Sequence, residues 1–279
     1  MPVVEFTSIV FLISGLAGFL GALTGLGGGV VITPALTLLL GVNLRYAIGA
    51  SLVSVIATSS GAAVAYVREG YSNVRIGMLL EIGTSLGAVI GAALAGYVPT
   101  GALAIVFGLV LLHSAWQSNT KLDPNAEPAP TVDPLSTRLR LHGVYPSPTG
   151  MISYHAQRIK AGMAVMFGAG LLSGLLGIGS GALKVIGMDR VMGLPFKVST
   201  TTSNFMIGVT AAASAGLYLR RGWIDPGLAM PVMLGVLAGS VLGARKLIGA
   251  RTKVLRLVFA LVVTVMAVEM IVNGVTGKL

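Results

Sequence analysis

The chain has 279 residues, of which 54% are hydrophobic and only 10% charged, with a mean hydropathy of +0.89. A soluble domain carries about 25% charged residues, so the composition points to an integral membrane protein with several helices. The net charge of +10 reads as positive-inside topology and anionic headgroups rather than nucleic-acid binding, and the absence of cysteine removes disulfides, thiol redox and Cys-based metal sites.

Glu5 is the sole charge before the first apolar run, 6–24. Without a basic flank, that run is expected to be a retained spanning helix rather than a cleaved leader. Further runs lie at 29–41, 46–67, 75–98, 101–119, 159–176, 182–194, 198–219, 226–248 and 254–274, about ten in all. Most reach the roughly 20 residues that cross a bilayer as a helix, and none alternates like a barrel strand. The expected fold is therefore an all-α polytopic bundle. Two runs, 29–41 and 182–194, are too short; each follows a glycine cluster and ends at a glycine, Gly41 or Gly193. Between the fifth and sixth runs, Pro124, Pro128, Pro130, Pro134, Pro146 and Pro148 stand among Asp, Glu, Arg and His, which predicts a polar linker. The predicted organisation is a first transmembrane unit over 1–119, a linker over 120–158 and a second unit over 159–279.

The two units read as copies of one pattern. A shift of 152 residues carries Gly25, Gly27 and Gly29 onto Gly177, Gly179 and Gly181, Gly41 onto Gly193, Ser51 onto Ser203 and Thr58 onto Thr210. It also carries Tyr66, Arg68 and Gly70 onto Tyr218, Arg220 and Gly222, and Gly83, Gly87 and Gly91 onto Gly235, Gly239 and Gly243. The last set has the small-residue spacing of helix-packing faces. If every run crosses, the copies are inverted, and one side collects Arg68, Arg75, the linker's basic residues, Arg190, Lys197 and the 245–256 cluster. If the short runs re-enter instead, the copies are parallel and that asymmetry is lost. The positive-inside rule favours inversion, with the N-terminus outside and the linker cytoplasmic. Arg220 and Arg221 then fall on the outer side, against the rule.

Glycine clusters break helices and free backbone groups that lipid cannot satisfy. A helix that starts after such a break aims its N–H groups and positive dipole end at the break, a natural place for an anion. Paired broken segments in two halves are a sequence pointer to a transport site. Close helix packing is the competing explanation, since Gly25 and Gly29 also form a GxxxG pair.

Gly25-Leu26-Gly27-Gly28-Gly29, Pro34 and Ala50-Ser51-Leu52, followed by Gly177-Ile178-Gly179-Ser180-Gly181, Leu194-Pro195-Phe196-Lys197 and Ser199-Thr200-Thr201-Thr202-Ser203-Asn204, resemble the two repeat signatures of the TauE/SafE family of sulfite and organosulfonate exporters. The resemblance spans nearly the whole chain except the linker. It implies movement of a small anion, such as a sulfur oxyanion or a sulfonate, across the cytoplasmic membrane. In two places the copies depart from one another: Ile186 stands opposite Pro34, and Ser180 opposite Gly28.

The candidate substrate-binding residues are Gly27, Gly28, Gly29, Ser51, Gly179, Ser180, Gly181, Lys184, Thr201, Thr202 and Asn204. Lys184 is the most costly, because a charge at a helix centre costs about 2.5–3.5 kcal/mol on insertion scales. It is expected to supply a fixed positive charge, with pairing to Asp189 or snorkelling as the bland alternative. Glu81 and Glu269 are candidates for proton coupling or for neutralising a basic partner. His113, His142 and His155 lack ligand spacing, and no Ser-His-Asp or His-Glu metal set is visible, so neither an enzyme nor a metal or other cofactor is expected. The expected function is secondary transport by alternating access, on an H+, Na+ or substrate gradient, with an anion channel of the same fold as the alternative. The expected partners are the bilayer and the anion; a homo-oligomer is left open.

Overall fold

The computed structural model describes residues 3–24, 29–68, 72–119, 133–147, 150–247 and 252–278. Gly25, Gly27, Gly28, Glu69 and Gly70 lie outside this set, as does most of the predicted linker before Asp133. Eight helices of 18 to 25 residues dominate: α1 (Val3–Thr24), α3 (Leu44–Arg68), α4 (Val74–Leu94), α5 (Thr100–Asn119), α7 (Ile159–Leu176), α9 (Phe196–Arg220), α10 (Pro226–Leu247) and α11 (Thr252–Val275). At 1.5 Å per residue they are about 27–38 Å long, enough for a hydrocarbon core of about 30 Å. Among the described residues, α4 and α7 are the two most clearly apolar along a spanning length. The short helices are α2 (Gly29–Leu40), α6 (Pro134–Arg138) and α8 (Gly181–Ile186), the last continued by a π-helical segment, Gly187–Val191.

The outside of the bundle is as apolar as its inside. Met78, Ile82 and Leu86 are exposed along α4, and Leu261, Val265, Val268 and Val272 along α11. A helix that is hydrophobic all round belongs in a large core or in lipid. With the chain's low charge content, these exposed stripes make it a multi-pass membrane protein.

Glycine contacts give the directions of the helices. Gly83 lies on Met163, Gly87 on Phe167 and Gly91 on Leu171, so α4 and α7 run parallel. Gly235 lies on Phe11 and Gly239 on Gly15, so α10 and α1 also run parallel. A Cβ at Gly91 would collide with the Leu171 carbonyl, and one at Gly239 with that of Gly15, so any larger residue would force these pairs apart. By contrast α5 and α11 are antiparallel, with Gly101 on Gly274 and Gly108 on Ile271. So are α3 and α9, with Gly49 on Trp223 and Gly208 on Ser59. The helices flanking each short segment, α1 and α3 or α7 and α9, therefore point the same way. Each short segment carries the chain back between them.

One end of the bundle is closed by the linker. Asp133 caps α6 through Leu135 N (2.9 Å) and accepts from Ile159 N (3.1 Å) at the start of α7. A hairpin follows, with β1 (His142–Ser147) antiparallel to β2 (Gly150–His155) and His142 opposite His155. Leu141, Tyr154 and Ala156 join Ile76, Leu80, Met188, Met192 and Val198 in one buried cluster. Asn73 caps α4 through Ile76 N (3.1 Å), donates to Tyr154 Oη (2.9 Å), and its N–H donates to Thr202 Oγ1 (3.0 Å). Burial pushes the Tyr154 phenol above its ordinary value, with the Asn73 bond opposing.

At the other end, Arg221 donates to the carbonyls of Ala92 (2.6 Å) and Ala93 (2.8 Å) at the C-terminus of α4. Arg45 donates to Val98 O (3.2 Å), and the two guanidiniums lie 4.9 and 5.0 Å from the Trp223 ring centre. Cations belong at helix C-termini and over indole faces. Arg221 thus has a structural post on the side where charge counting alone disfavours it.

Candidate functional site

Helix α7 ends where Gly177 turns left-handed (φ 68°), followed by Gly179 (71°) and Ser180 (43°) before α8 begins. A Cβ at Gly177 would lie 2.6 Å from Ile48 Cγ2, and one at Gly179 2.7 Å from Ile207 Cγ2. Backbone conformation and space both demand glycine there. Ser180 takes a left-handed conformation that costs an ordinary residue roughly 1–2 kcal/mol, and its buried hydroxyl has no hydrogen-bond partner among the described residues. The second cluster is therefore both a helix break and a tight packing element.

The two broken segments meet. The Ser51 hydroxyl lies 3.2 Å from Gly29 O, at the start of α2, and 3.0 Å from Gly177 O. Ser203 donates to Gly181 O (3.1 Å), the same bond one 152-residue shift later. Each hydroxyl has one proton, and here it goes to a carbonyl. Ser51 therefore pins the broken segments and has no proton left to donate to a solute.

Lys184 is fully buried in α8. Helical side chains lean towards the N-terminus, and its ammonium reaches Thr210 Oγ1 in α9. Glu81, on α4, completes the cluster: its Oε1 accepts from Thr210 (2.6 Å) and Ser85 (2.9 Å), and its Oε2 stands 4.0 Å from Lys184 Nζ. Among the described residues Oε2 is buried without a hydrogen-bond partner. Glu81 and Thr210 each lie eight residues beyond the Asn73–Thr202 contact, on parallel helices. That places them about 12 Å inside the hairpin end. The pair joins the two halves and is not duplicated: the 152-residue shift carries Lys184 onto Ile32 and Glu81 onto Met233.

Other sequence candidates are placed differently. Thr201 bonds back to Lys197 O (2.9 Å), and Thr202 is used by Asn73. Asn204 is half-buried in α9, while Glu269 is exposed on α11 and apart from the Glu81 cluster. Gly29 and Gly181 are buried at the starts of α2 and α8. Asp189, the sequence-nearest acid to Lys184, is half-buried in the π-helical segment, and the ammonium pairs with Glu81 instead. The sequence reading missed Thr210 and Ser85; a signal for Thr210 was its recurrence at the Thr58 position.

Apolar outer faces, two broken segments in contact and a buried charge pair beside them are the build of a polytopic helical transport protein. The chain belongs to the sulfite exporter TauE/SafE family, which matches residues 10–270. It is 26% identical over 275 residues to the probable membrane transporter protein YunE of Bacillus subtilis (strain 168), covering 96% of this chain and 98% of that one. The probable membrane transporter protein YdhB of the same organism is 27% identical, over 85% of this chain and 87% of the relative. A probable membrane transporter protein of Xylella fastidiosa (strain 9a5c) is 28% identical over 92% of each. No solved structure matches the chain. Family and relatives alike are named as membrane transporters, not enzymes.

Proposed function

We propose that the protein is a secondary transporter, an exporter by family resemblance, that moves a small anion such as sulfite, a sulfonate or a related sulfur oxyanion across the cytoplasmic membrane. The substrate site lies where the broken segments of the two halves, 1–119 and 159–279, come together. The halves act as inverted repeats and rock about that site to give alternating access. The antiparallel pairings of α3 with α9 and α5 with α11 support inversion, since the 152-residue shift makes each pair equivalents. The N-terminus is outside and the 120–158 linker cytoplasmic.

The observation that carries the reading is Lys184: a fully buried ammonium in the short helix α8, just past the left-handed Ser180. Ser180 adds a buried hydroxyl that has no hydrogen-bond partner among the described residues. A dehydrated oxyanion needs such a set of donors. The test is uptake of labelled sulfite, thiosulfate and 2-hydroxyethanesulfonate by proteoliposomes. Saturable uptake that Lys184→Met abolishes supports the reading; no uptake of any of the three ends it.

A further inference from the structure

Resting on that transporter reading, we infer that Glu81 is a proton-carrying counter-ion that competes with the anion for Lys184, so that each monoanion crosses together with one proton. The Glu81 carboxylate lies within ion-pair distance of the ammonium through Oε2, at 4.0 Å, without a close hydrogen bond between them. Among the described residues Lys184 Nζ donates to the Thr210 hydroxyl, which leaves donor capacity on an ammonium with three N–H bonds. Glu81 Oε1 is held by two hydroxyls, while the buried Oε2 has no hydrogen-bond partner among the described residues. One carboxylate oxygen is thus fixed in place and the other is left to take a proton.

The charge count gives the cycle. With Glu81 ionised, the pair is neutral, and an entering anion would leave one uncompensated negative charge at membrane depth. With a proton on Oε2, Lys184 stands alone and an anion restores neutrality. The loaded site, Lys184 with protonated Glu81 and a monoanion, is as neutral as the empty one. Both can cross the barrier without burying net charge, which lipid penalises heavily. A half-loaded site carries a net charge and is held back. Thr210 bridges the pair in either state, as its oxygen can accept from Lys184 while its proton goes to Glu81.

Among the described residues no other charge is placed to do this. Of the elements packed on α4, α7 carries its charge, Lys160, in its first turn, and α9 carries Lys197 and Arg220 in its first and last turns. Arg75 stands at the start of α4 itself, and Asp189 and Arg190 lie in the π-helical segment beyond α8. The pair occurs once, with Ile32 and Met233 at the repeat-equivalent positions, which fits one proton and one anion per cycle rather than two.

The test uses the full-length protein and 2-hydroxyethanesulfonate, whose acid is too strong to cross lipid as a neutral molecule. In an unbuffered detergent solution at pH 7–8, binding this anion should take up about one proton per molecule bound, and its apparent affinity should fall about tenfold per pH unit wherever that uptake is complete. In proteoliposomes, an imposed pH gradient alone should concentrate the anion on the alkaline side, so that export from a cell requires an outward anion gradient larger than the inward proton gradient. Glu81→Gln should bind it with an affinity independent of pH and lose the gradient-driven accumulation; Glu81→Asp should keep both linkages. Anion binding to the unmodified protein with no proton uptake overturns the inference even if Glu81→Gln does not fold. So does gradient-driven accumulation by a folded Glu81→Gln. If the unmodified protein binds neither this anion nor sulfite, the transporter reading fails, and this inference with it.

Discussion

Ser51 Oγ lies 3.0 Å from the carbonyl oxygen of Gly177 and 3.2 Å from that of Gly29, so one hydroxyl of the first half ties the start of α2 to the end of α7. Gly177 caps the C-terminus of α7, so its carbonyl lies past the regular helical bonds, and lipid offers no partner. Ser51→Ala should therefore act on stability first. Leaving a buried acceptor unmet costs about 1–3 kcal/mol. The expected result is a lower thermal midpoint in detergent with anion affinity little changed. A large loss of affinity at unchanged stability would instead make Ser51 a ligand.

The Lys184–Glu81 pair should behave as a coupled unit. Removing one partner from a buried pair strands the other, at about 3–5 kcal/mol, whereas replacing both with neutral groups is often near neutral. Lys184→Met and Glu81→Gln should each destabilise, while the double variant should recover most of that loss. All variants lacking Lys184 should be transport-dead, the well-folded double variant included. That last point separates a binding role for Lys184 from a folding one, because stability and transport then move apart. Additive losses would show that the two charges do not interact.

How far these relationships were legible in the sequence follows from the range of the forces involved. Glycine spacing is local and periodic, so the packing faces at Gly83, Gly87 and Gly91 and the break at Gly177–Gly181 could be read directly. Lys184 announced itself by its cost in a membrane segment. Its partner did not, because Glu81 sits on another helix in the other half, and only packing of α4 against α9 brings Thr210 and the two charges together. Asp189 is nearer in sequence, but lies a turn and a half further along, past Lys184's upward reach. The hairpin was hidden as well: Pro146 demotes a strand, although Val144, Tyr145, Ile152 and Tyr154 have strand-forming side chains. The two roles of Arg221 and Trp223, capping and stacking, could not be told from a plain interfacial cluster.

Ser180 should trade stability for binding. It occupies a left-handed conformation that glycine adopts freely, and its counterpart in the first half is Gly28. Ser180→Gly relieves up to about 1–2 kcal/mol of backbone strain. If the buried hydroxyl donates to the substrate, the same change should lower anion affinity several-fold, roughly 1 kcal/mol for one lost hydrogen bond. Isothermal titration with sulfite beside a melting curve reads both effects. A variant that is more stable and binds equally well would remove Ser180 from the site.

The orientation in the membrane can be tested without altering the background, since the chain has no cysteine. Arg75, Arg138, Arg140, Arg158, Lys160, Arg190 and Lys197 gather at the hairpin end, while Arg45, Arg220 and Arg221 stand at the other. Two of the latter three are held on Trp223 and α4 or α5-side carbonyls, so they do not count fully as free surface charge. The positive-inside rule then puts the hairpin in the cytoplasm. Tyr97 and Met151 are exposed at opposite ends of the bundle, at 84% and 70%. An impermeant maleimide should label Tyr97→Cys in intact cells and Met151→Cys only after permeabilisation. The reverse pattern would turn the protein over in the bilayer, and labelling of both in intact cells would mean that the two ends are not separated by a membrane.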